Sequence, residues 1–341
     1  MPKCGSQVYL CDLPIRFDNY NGCSHGCSYC FAQTFKDITK IKKDEGVTAL
    51  RRFIEGRRNL ETSWCDWDIP IHWGGLSDPF QPVERKHKTT LECLELFRET
   101  QYPFVVSTKG KLLADDKYLS LLKDCNCVVQ ISAVCSSYDK IELGCPSFEE
   151  RVEIMRKISP HVKRVIARMQ PYLHEVFDEA YESLAKFKEA GAYGVIVEGM
   201  KFKKKKEGLV KVGGDWCYDY DIILTDFLKL KERAHELGLK IYAGENRIRS
   251  YGDSLSCCGI DGLEGFKGNT YNLNHMLHGD FTEPTEAMKK EGSATVFDSL
   301  RQKTIHKEIT SKVPFDKYMI NYYREKKDKI DEIFGITQQK R

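Results

Sequence analysis

Two kinds of hydrophobic pattern alternate along the chain. Short runs rich in β-branched residues predict strands at 69–73, 104–107, 128–133, 162–167, 194–197 and 239–243. The longer segments between and after them have apolar residues at every third or fourth position, which is the spacing of an amphipathic helix. These segments predict helices at 89–100, 115–124, 147–158, 177–191 and 221–238.

Residues typical of helix ends support several of these boundaries. Asp115 precedes one helical segment, and Ser147 precedes another with Glu150 three positions on, which is the pattern of a capping box. Gly191 and Gly238 follow two further segments, where glycine commonly ends a helix.

Strands and helices alternate in units of about 25–35 residues, which is typical of parallel strands joined by right-handed crossovers. The fold class is therefore predicted to be α/β, with a full or partial parallel (β/α) barrel of about six units and a C-terminal extension. A doubly wound open sheet is the alternative. In either architecture ligands bind at the carboxyl ends of the strands.

The regular pattern weakens after the last predicted strand. Residues 1–245 are interpreted as the barrel core, and residues 246–341 as an extension of Cys- and Gly-rich loops with a basic, Tyr-rich helix at 315–334. A basic loop, KFKKKKEG at 201–208, follows the sixth unit. No segment with the composition of a linker separates the two regions, so the extension is interpreted as an appendage of one domain.

Length and charge restrict the class of protein only loosely. The chain has 341 residues and a formal net charge of +3, which neither requires nor excludes a nucleic-acid partner. No apolar run approaches the length of a membrane span, and the first residues lack a secretory pattern. A cytoplasmic protein without a membrane partner is therefore expected.

The chain has 14 cysteines, which is many for its length. In the reducing compartment expected here, isolated cysteines such as Cys93 and Cys127 are interpreted as small buried hydrophobic residues. Clustered cysteines need another explanation. The densest cluster is Cys23-x3-Cys27-x2-Cys30.

Three thiolates at this spacing can converge on one metal centre. Structural zinc nearly always has four protein ligands, and the nearest other cysteines, Cys11 and Cys65, lack partner spacing, although His25 could contribute. A [4Fe–4S] cluster held by three cysteines instead leaves one iron open for a further ligand. Glycines and serines between the cysteines allow the backbone to wrap closely, and Tyr29 offers an aromatic edge beside the open iron.

The C-x3-C-x2-C motif with an aromatic residue before the last cysteine resembles the radical S-adenosylmethionine (SAM) superfamily. Further segments over residues 15–200 resemble its spore photoproduct lyase-like branch. They are GGLSDPFQPVE at 74–84, VVSTKG at 105–110, VVQIS at 128–132 and IELGCPSFEERVEIMRKI at 141–158. The resemblance implies a [4Fe–4S] cluster and SAM as cofactors.

The resemblance also implies roles for individual residues. The metal ligands would be Cys23, Cys27 and Cys30. Lys109 and Ser132 match positions that hold the SAM carboxylate, which suits an ammonium and a hydroxyl at neighbouring strand ends. The other cofactor-binding candidates are Gly74 and Gly75 near the SAM amine, Tyr29 near the adenine, and Arg168 and Glu198 at the ends of the fifth and sixth strands.

Structural alternatives stay open for several of these residues. Lys109 could be a solvated turn lysine, and Gly74 with Gly75 could form an ordinary turn. Arg168 and Glu198 would bind SAM or substrate, unless they form a structural ion pair with each other.

One position departs from the lyase pattern. In the lyase, a cysteine just before the S-D-P segment donates a hydrogen atom to the substrate radical, whereas alignment on residues 77–79 puts Gly75 there. Repair of spore photoproduct by the lyase route is therefore not expected. Cys135 and Cys145, which follow the fourth strand, are the hydrogen-donor candidates.

A second group of cysteines lies in glycine-rich loops. Cys257 and Cys258 are adjacent, and Cys217 lies in an earlier loop. Three interpretations stay open: a second metal centre, thiols that transfer hydrogen or a radical, and loop packing. Adjacent cysteines rarely bind one metal, because the chain must turn sharply between them.

These features predict a radical SAM enzyme with a one-electron donor such as flavodoxin or ferredoxin as its partner. A modified nucleobase in DNA is one expected substrate, because the resembled lyase acts on DNA and because the basic loop and terminal helix could contact phosphates. A peptide substrate, a small metabolite, and a non-catalytic Fe–S or metal-binding protein are the alternatives.

Overall fold

The computed structural model describes residues 1–5, 7–34, 36–44, 46–212, 214–295 and 312–328. Its strands are β1 (Lys3–Cys4), β2 (Ile15–Phe17), β3 (Tyr20–Asn21), β4 (Lys42–Lys43), β5 (Ile71–Trp73), β6 (Phe104–Thr108), β7 (Cys127–Ser132), β8 (Arg164–Tyr172), β9 (Gly194–Gly199), β10 (Leu209–Val212), β11 (Asp215–Tyr218) and β12 (Lys240–Ala243). Its α-helices are α1 (Val47–Ile54), α2 (Glu84–His87), α3 (Thr89–Thr100), α4 (Asp116–Leu122), α5 (Phe148–Ile158), α6 (Phe177–Glu189), α7 (Tyr220–Glu236), α8 (Leu273–Leu277), α9 (Glu286–Lys289) and α10 (Phe315–Lys326).

Eight strands form one sheet in the order β1-β2-β5-β6-β7-β8-β9-β12. The strands from β2 to β12 run parallel, and β1 adds an antiparallel edge. The order follows the chain without the reversal that a doubly wound sheet requires. Within the described residues β12 and β1 do not pair, so the architecture is a partial barrel, and the predicted α/β fold class is confirmed.

The alternation of side chains along each strand creates two cores. One face of the sheet packs against the surrounding helices and contains the larger buried cluster. The other face encloses the barrel lumen, where a smaller apolar layer is formed by Leu13, Val105, Val128, Ile166, Ile196, Tyr242, Cys258, Ile260 and Phe266. Two residues farther along the strands, the same face carries polar side chains, because side-chain direction repeats every second residue.

Five of the predicted helices and six of the predicted strands are present close to their predicted positions. The helix at 89–100 has the predicted ends, and Ser147 forms the expected capping box with Glu150, whose backbone N–H donates to Ser147 Oγ at 3.2 Å. Strand β8 runs to Tyr172, five residues beyond its predicted end, because its pairing with β9 resumes after an irregularity. The sequence did not predict β2 or the β10–β11 hairpin.

Residues after β12 fill the lumen and cover its open side. The Asn269 N–H donates to the Asp12 carbonyl at 2.7 Å, and the Leu273 N–H donates to the Tyr9 carbonyl at 2.9 Å. Farther on, Phe315 at the start of α10 stacks on Trp64 with ring centroids 5.1 Å apart. The predicted boundary after residue 245 stays a prediction, and residues 329–334 of the predicted terminal helix lie outside the described residues.

None of the described helices has both the length and the hydropathy that a membrane span requires.

Candidate active site

The three motif cysteines lie on the loop between β3 and β4. Cys27 is buried, and Cys23 and Cys30 are partly exposed. Gly22 begins the loop with φ of +94°, and a Cβ there would come within 2.8 Å of the carbonyl oxygens of Ile38 and Lys40. Only glycine therefore lets the loop start so close to the opposite chain segment.

The segment that follows β5 holds this loop in place. Gln81 accepts a hydrogen bond from the Ser24 N–H at 2.9 Å and donates one to the Gly22 carbonyl at 3.1 Å. His25 lies between the cysteines, and its Nε2 is 3.1 Å from Oδ2 of Asp78. The segment after β5 thus holds the cysteine loop through two buried side chains, Gln81 and Asp78.

Asp78 also joins the loop to the end of β6. Its carboxylate accepts from Thr108 Oγ1 at 2.7 Å and from the Lys109 N–H at 2.7 Å. The Phe80 N–H donates to it as well, so Asp78 also caps the local turn. Burial opposes ionisation, but His25 and these donors outweigh it and lower the pKa of Asp78.

Lys109 projects from the end of β6 toward the cysteine loop. Its Nζ lies 3.8 Å from Oε1 of Glu142 and 5.7 Å from the ring centroid of Tyr29. Burial opposes the ammonium form, but Glu142 and the thiols of Cys27 and Cys145 outweigh it, so the pKa of Lys109 is raised. The Lys109 side chain is 15% exposed and faces Glu142, which excludes the solvated-turn alternative.

Glu142 and Arg151 are site residues that the sequence reasoning missed. Arg151 Nη1 pairs with Oε2 of Glu142 at 2.5 Å, and the Tyr29 hydroxyl donates to Oε1. Arg151 also donates to the Ser132 carbonyl at 2.9 Å. Both residues belong to the segment at 141–158, whose resemblance to the lyase-like branch was the available signal.

Ser132 ends β7, beside the strand that leads to Lys109. Thr108 pairs in register with Ile131, so Lys109 and Ser132 follow at neighbouring strand ends as predicted. Among the described residues the Ser132 hydroxyl has no hydrogen-bond partner, and the residue is partly exposed. The hydroxyl is therefore available to a ligand.

Gly74 and Gly75 differ in what their missing side chains allow. A Cβ on Gly74, whose φ is +88°, would come within 2.4 Å of the Ser107 carbonyl oxygen. Gly74 is therefore required by the packing of β5 against β6. A Cβ on Gly75 would instead point into the lumen, 3.4 Å from Cδ of Arg16.

Arg168 and Glu198 both face the lumen but lie within their strands, which corrects the prediction that they end them. They do not form a direct ion pair. Gln170 bridges them, accepting from Arg168 and donating to Glu198, and Glu198 pairs with Lys201 at 2.8 Å. The bridge arises because β8 continues far enough to bring Gln170 between them.

The two hydrogen-donor candidates lie in different places. Cys145 Sγ is 3.6 Å from Cys27 Sγ, and this contact, opposed by burial, lowers the pKa of Cys27 to about 6. Cys135 belongs to the core between sheet and helices, and burial raises its pKa to about 12. The geometry thus favours Cys145, although its role stays a prediction.

The three cysteines of the second group lie in two different places, the lumen and strand β11. Cys257 and Cys258 have their sulfur atoms 3.8 Å apart in the lumen, and the Cys258 contact, with Arg249 beside it, lowers the pKa of Cys257 to about 6. Cys217 is buried on β11, where burial raises its pKa to about 11. The three interpretations of this group stay open.

The thiols of Cys23, Cys27 and Cys30 are chemically suited to hold an iron–sulfur cluster. The motif supplies three soft ligands on one clamped loop, with the Lys109 cation near Cys27 to stabilise negative charge. In the described part of the chain, no three His, Cys, Asp or Glu side chains are already arranged as a metal site. The assignment of the cluster ligands therefore stays a prediction.

Comparison with known sequences gives distant relatives. No protein-family profile matches the chain. Uncharacterized protein Rv2578c of Mycobacterium tuberculosis (strain ATCC 25618 / H37Rv) is 26% identical over 220 residues, which are 58% of this chain and 62% of the relative. Uncharacterized protein Mb2609c of Mycobacterium bovis matches to the same extent. The match therefore spans less than two thirds of these relatives.

Comparison with solved structures shows the fold. Spore photoproduct lyase complexed with dinucleoside spore photoproduct superimposes with a TM-score of 0.54 at 16% identity, covering 68% of this chain and 77% of the lyase. SuiB of Streptococcus suis bound to S-adenosylmethionine has a TM-score of 0.50 at 11% identity, covering 70% and 53%. The chain therefore has the partial-barrel fold of radical SAM enzymes. Its resemblance to spore photoproduct lyase is confirmed in fold.

Proposed function

We propose that the protein is a radical SAM enzyme. The observation that carries the proposal is the cysteine loop itself, held by Gln81 and Asp78 at the carboxyl ends of the parallel strands beside Lys109. A [4Fe–4S] cluster held by Cys23, Cys27 and Cys30 would, when bound and reduced, supply the reductive cleavage of SAM that starts hydrogen-atom abstraction from the substrate. The lumen would hold the reacting groups away from water.

The residues at the carboxyl ends of the strands suit this chemistry. The three motif cysteines would hold the cluster. Lys109 and Ser132 would bind the SAM carboxylate through an ammonium and a free hydroxyl. Glu142, already paired with Arg151, keeps Lys109 charged and orients the Tyr29 ring. Cys145, next to Cys27, is the better placed of the two hydrogen-donor candidates.

For the substrate, we propose a modified nucleobase in DNA. Two observations support it: the fold is shared with a lyase that was solved with a dinucleoside, and a basic loop with the exposed residues Lys203, Lys204 and Lys205 follows β9. Phosphate contacts are made by such groups. A peptide is the second candidate, because SuiB was also solved bound to precursor peptide SuiA, with a TM-score of 0.50.

Reduction of the cluster would require a one-electron donor such as flavodoxin or ferredoxin, and we place the reaction in the cytoplasm. The deciding experiment is anaerobic reconstitution followed by dithionite and SAM, with 5′-deoxyadenosine as the readout. The C27A variant is the control. Formation of 5′-deoxyadenosine by the wild type alone is expected, and equal formation by both proteins would contradict the proposal.

The substrate is tested by repeating the assay with DNA, with peptides, and without either. DNA is expected to bind at low salt and to raise 5′-deoxyadenosine formation. If DNA does neither, the nucleobase hypothesis is wrong, while the radical SAM proposal stands on the assay without substrate.

A further inference from the structure

A ring of polar side chains lines the lumen above its apolar layer. Ser107 Oγ donates to Gln130 Oε1 at 2.8 Å, and it accepts from Arg168 Nη1 at 2.8 Å and from His72 Nε2 at 2.9 Å. Burial, together with Arg168 and Arg16, lowers the pKa of His72 well below its usual range, so the ring is neutral and donates from Nε2. These four side chains satisfy one another.

Arg16 is the next member of this ring and is not satisfied. It pairs in register with His72, and its neighbours Ile15 and Phe17 pack into the outer core, so the arginine faces the lumen. Within the described residues its side chain makes no hydrogen bond or ion pair, and its Nε is buried without a partner. The residue as a whole is partly exposed, so the guanidinium has donors that a ligand in the lumen can reach.

Two glycines flank the Arg16 side chain. A Cβ on Gly5 would lie 2.8 Å from Nε of Arg16, so the arginine side chain would have to shift. A Cβ on Gly75, on the other side, would lie 3.4 Å from Cδ and 3.9 Å from Nη1. The guanidinium thus occupies the space next to the position where the resembled lyase has its donor cysteine.

Asp18 lies beside this space, with its Oδ2 3.8 Å from the position of a Cβ on Gly75, and it is engaged elsewhere. Its oxygens accept from the Leu76 N–H at 3.0 Å, the Ser77 N–H at 2.9 Å and the Ser77 hydroxyl at 3.1 Å. Burial raises its pKa to about 6, although these hydrogen bonds oppose the rise. No ion pair joins Asp18 to Arg16 in the described part of the chain, so the guanidinium keeps its donors.

We propose that Arg16 binds an oxyanion of the substrate, either a phosphate or a carboxylate, at the Gly75 side of the lumen. A planar guanidinium with unused donors matches both groups in a two-pronged geometry. The inference rests on the proposed radical SAM function and narrows its substrate to one that carries a negative group near the reacting carbon.

The test titrates the reconstituted protein with inorganic phosphate, dimethyl phosphate and acetate at constant ionic strength, following binding by calorimetry. The variants are R16Q, R16K and G5A, and R57Q is the control because Arg57 is exposed and carries the same charge. R16Q should weaken binding of the preferred oxyanion on the order of tenfold to a hundredfold, as expected for a charge-assisted hydrogen bond. G5A should weaken it as well, since the new methyl group displaces the guanidinium without changing the charge.

The outcomes separate the two hypotheses. R57Q with wild-type affinity and R16K between wild type and R16Q support the site, and preference for phosphates over acetate identifies a nucleotide-like substrate. Equal affinity of wild type and R16Q overturns the inference, as does weakened SAM binding by R16Q, which would assign Arg16 to the cofactor. Failure of the wild type to cleave SAM instead overturns the proposed function, because oxyanion binding is measured without turnover.

Discussion

Asp78 and His25 form a buried contact of 3.1 Å between the carboxylate and the imidazole, and it joins the cysteine loop to the strand end that carries Lys109. The other ring nitrogen of His25 lies 3.0 Å from the Gly144 carbonyl. Since a carbonyl only accepts, His25 donates there, and the loop is tied to the segment of Cys145 as well. One histidine thus holds three parts of the site in register.

This relationship predicts that D78N disturbs the cluster more than it disturbs the fold. The asparagine retains an acceptor for the Lys109 N–H but removes the charge opposite His25, a loss of about 1.5–3 kcal/mol for a hydrogen bond to a charged group. We expect less bound iron after reconstitution and an altered electron paramagnetic resonance spectrum of the reduced protein.

D226N is the matched control for D78N. Asp226 is equally buried and accepts from Tyr172 at 2.7 Å and His174 at 2.6 Å, but these partners lie outside the candidate site. It should lose similar stability while keeping its iron and its spectrum. If both variants lose iron to the same degree, Asp78 acts only through general stability.

The cysteine assignments are tested by C27A and C145A together. Wild-type protein should bind about four irons at this site, with broad absorbance near about 400 nm, as thiolate-held clusters do. C27A should lose the site, whereas C145A should keep its iron because Cys145 lies outside the motif. Iron loss in C145A, with retention in C27A, would show that the ligand assignment is wrong.

Lys109 is expected to contribute to SAM binding through its charge. K109M should weaken binding by about 1.5–3 kcal/mol, the scale of a charge-assisted hydrogen bond. Calorimetry on the reconstituted protein measures this, with K111M as the control because Lys111 is exposed. An unchanged dissociation constant for K109M would place the carboxylate contact elsewhere.

Local patterns predicted most of the strands and helices because their signals are short in range. Hydrophobic periodicity and the Ser147–Glu150 capping box were enough to predict α5. Strand β2 has only three residues and no turn signals, so its pattern is too short to detect. The partners of Lys109 could not be predicted, since Glu142 and Arg151 reach it only through the packing of separate crossovers. Arg16 was missed for the same reason: its glycine neighbours lie far apart in sequence.

The contact between His275, in the region after β12, and Asp12, in the N-terminal segment, predicts that the stability of the fold depends on pH. His275 Nε2 lies 3.0 Å from Asp12. Burial opposes protonation, but Asp12 and then Asp280 outweigh it, so the pKa of His275 is raised. Because the pKa of His275 is higher in the folded state, its protonation stabilises the fold fully at pH values below its unfolded-state pKa of about 6.5. This stabilisation is lost as the pH rises through the folded-state pKa. H275Q should therefore destabilise more at pH about 6 than at pH about 9 in urea unfolding.

The exposed His278 supplies the control for this measurement. H278Q should unfold like the wild type at both pH values. A destabilisation by H275Q that is independent of pH would mean that His275 acts through packing rather than through its charge.

The basic loop gives the prediction that bears on the substrate. If DNA binds there, the logarithm of the affinity should fall linearly with the logarithm of salt concentration, because neutralised phosphates release counterions. Replacing Lys203, Lys204 and Lys205 together by glutamine should reduce the slope by about 0.9 for each phosphate that the loop no longer neutralises.

The control replaces three exposed lysines on other elements, namely Lys86, Lys111 and Lys123. Equal slopes for the two triple variants would remove the loop from the DNA interface, and a wild-type affinity that does not respond to salt would favour a peptide or metabolite instead.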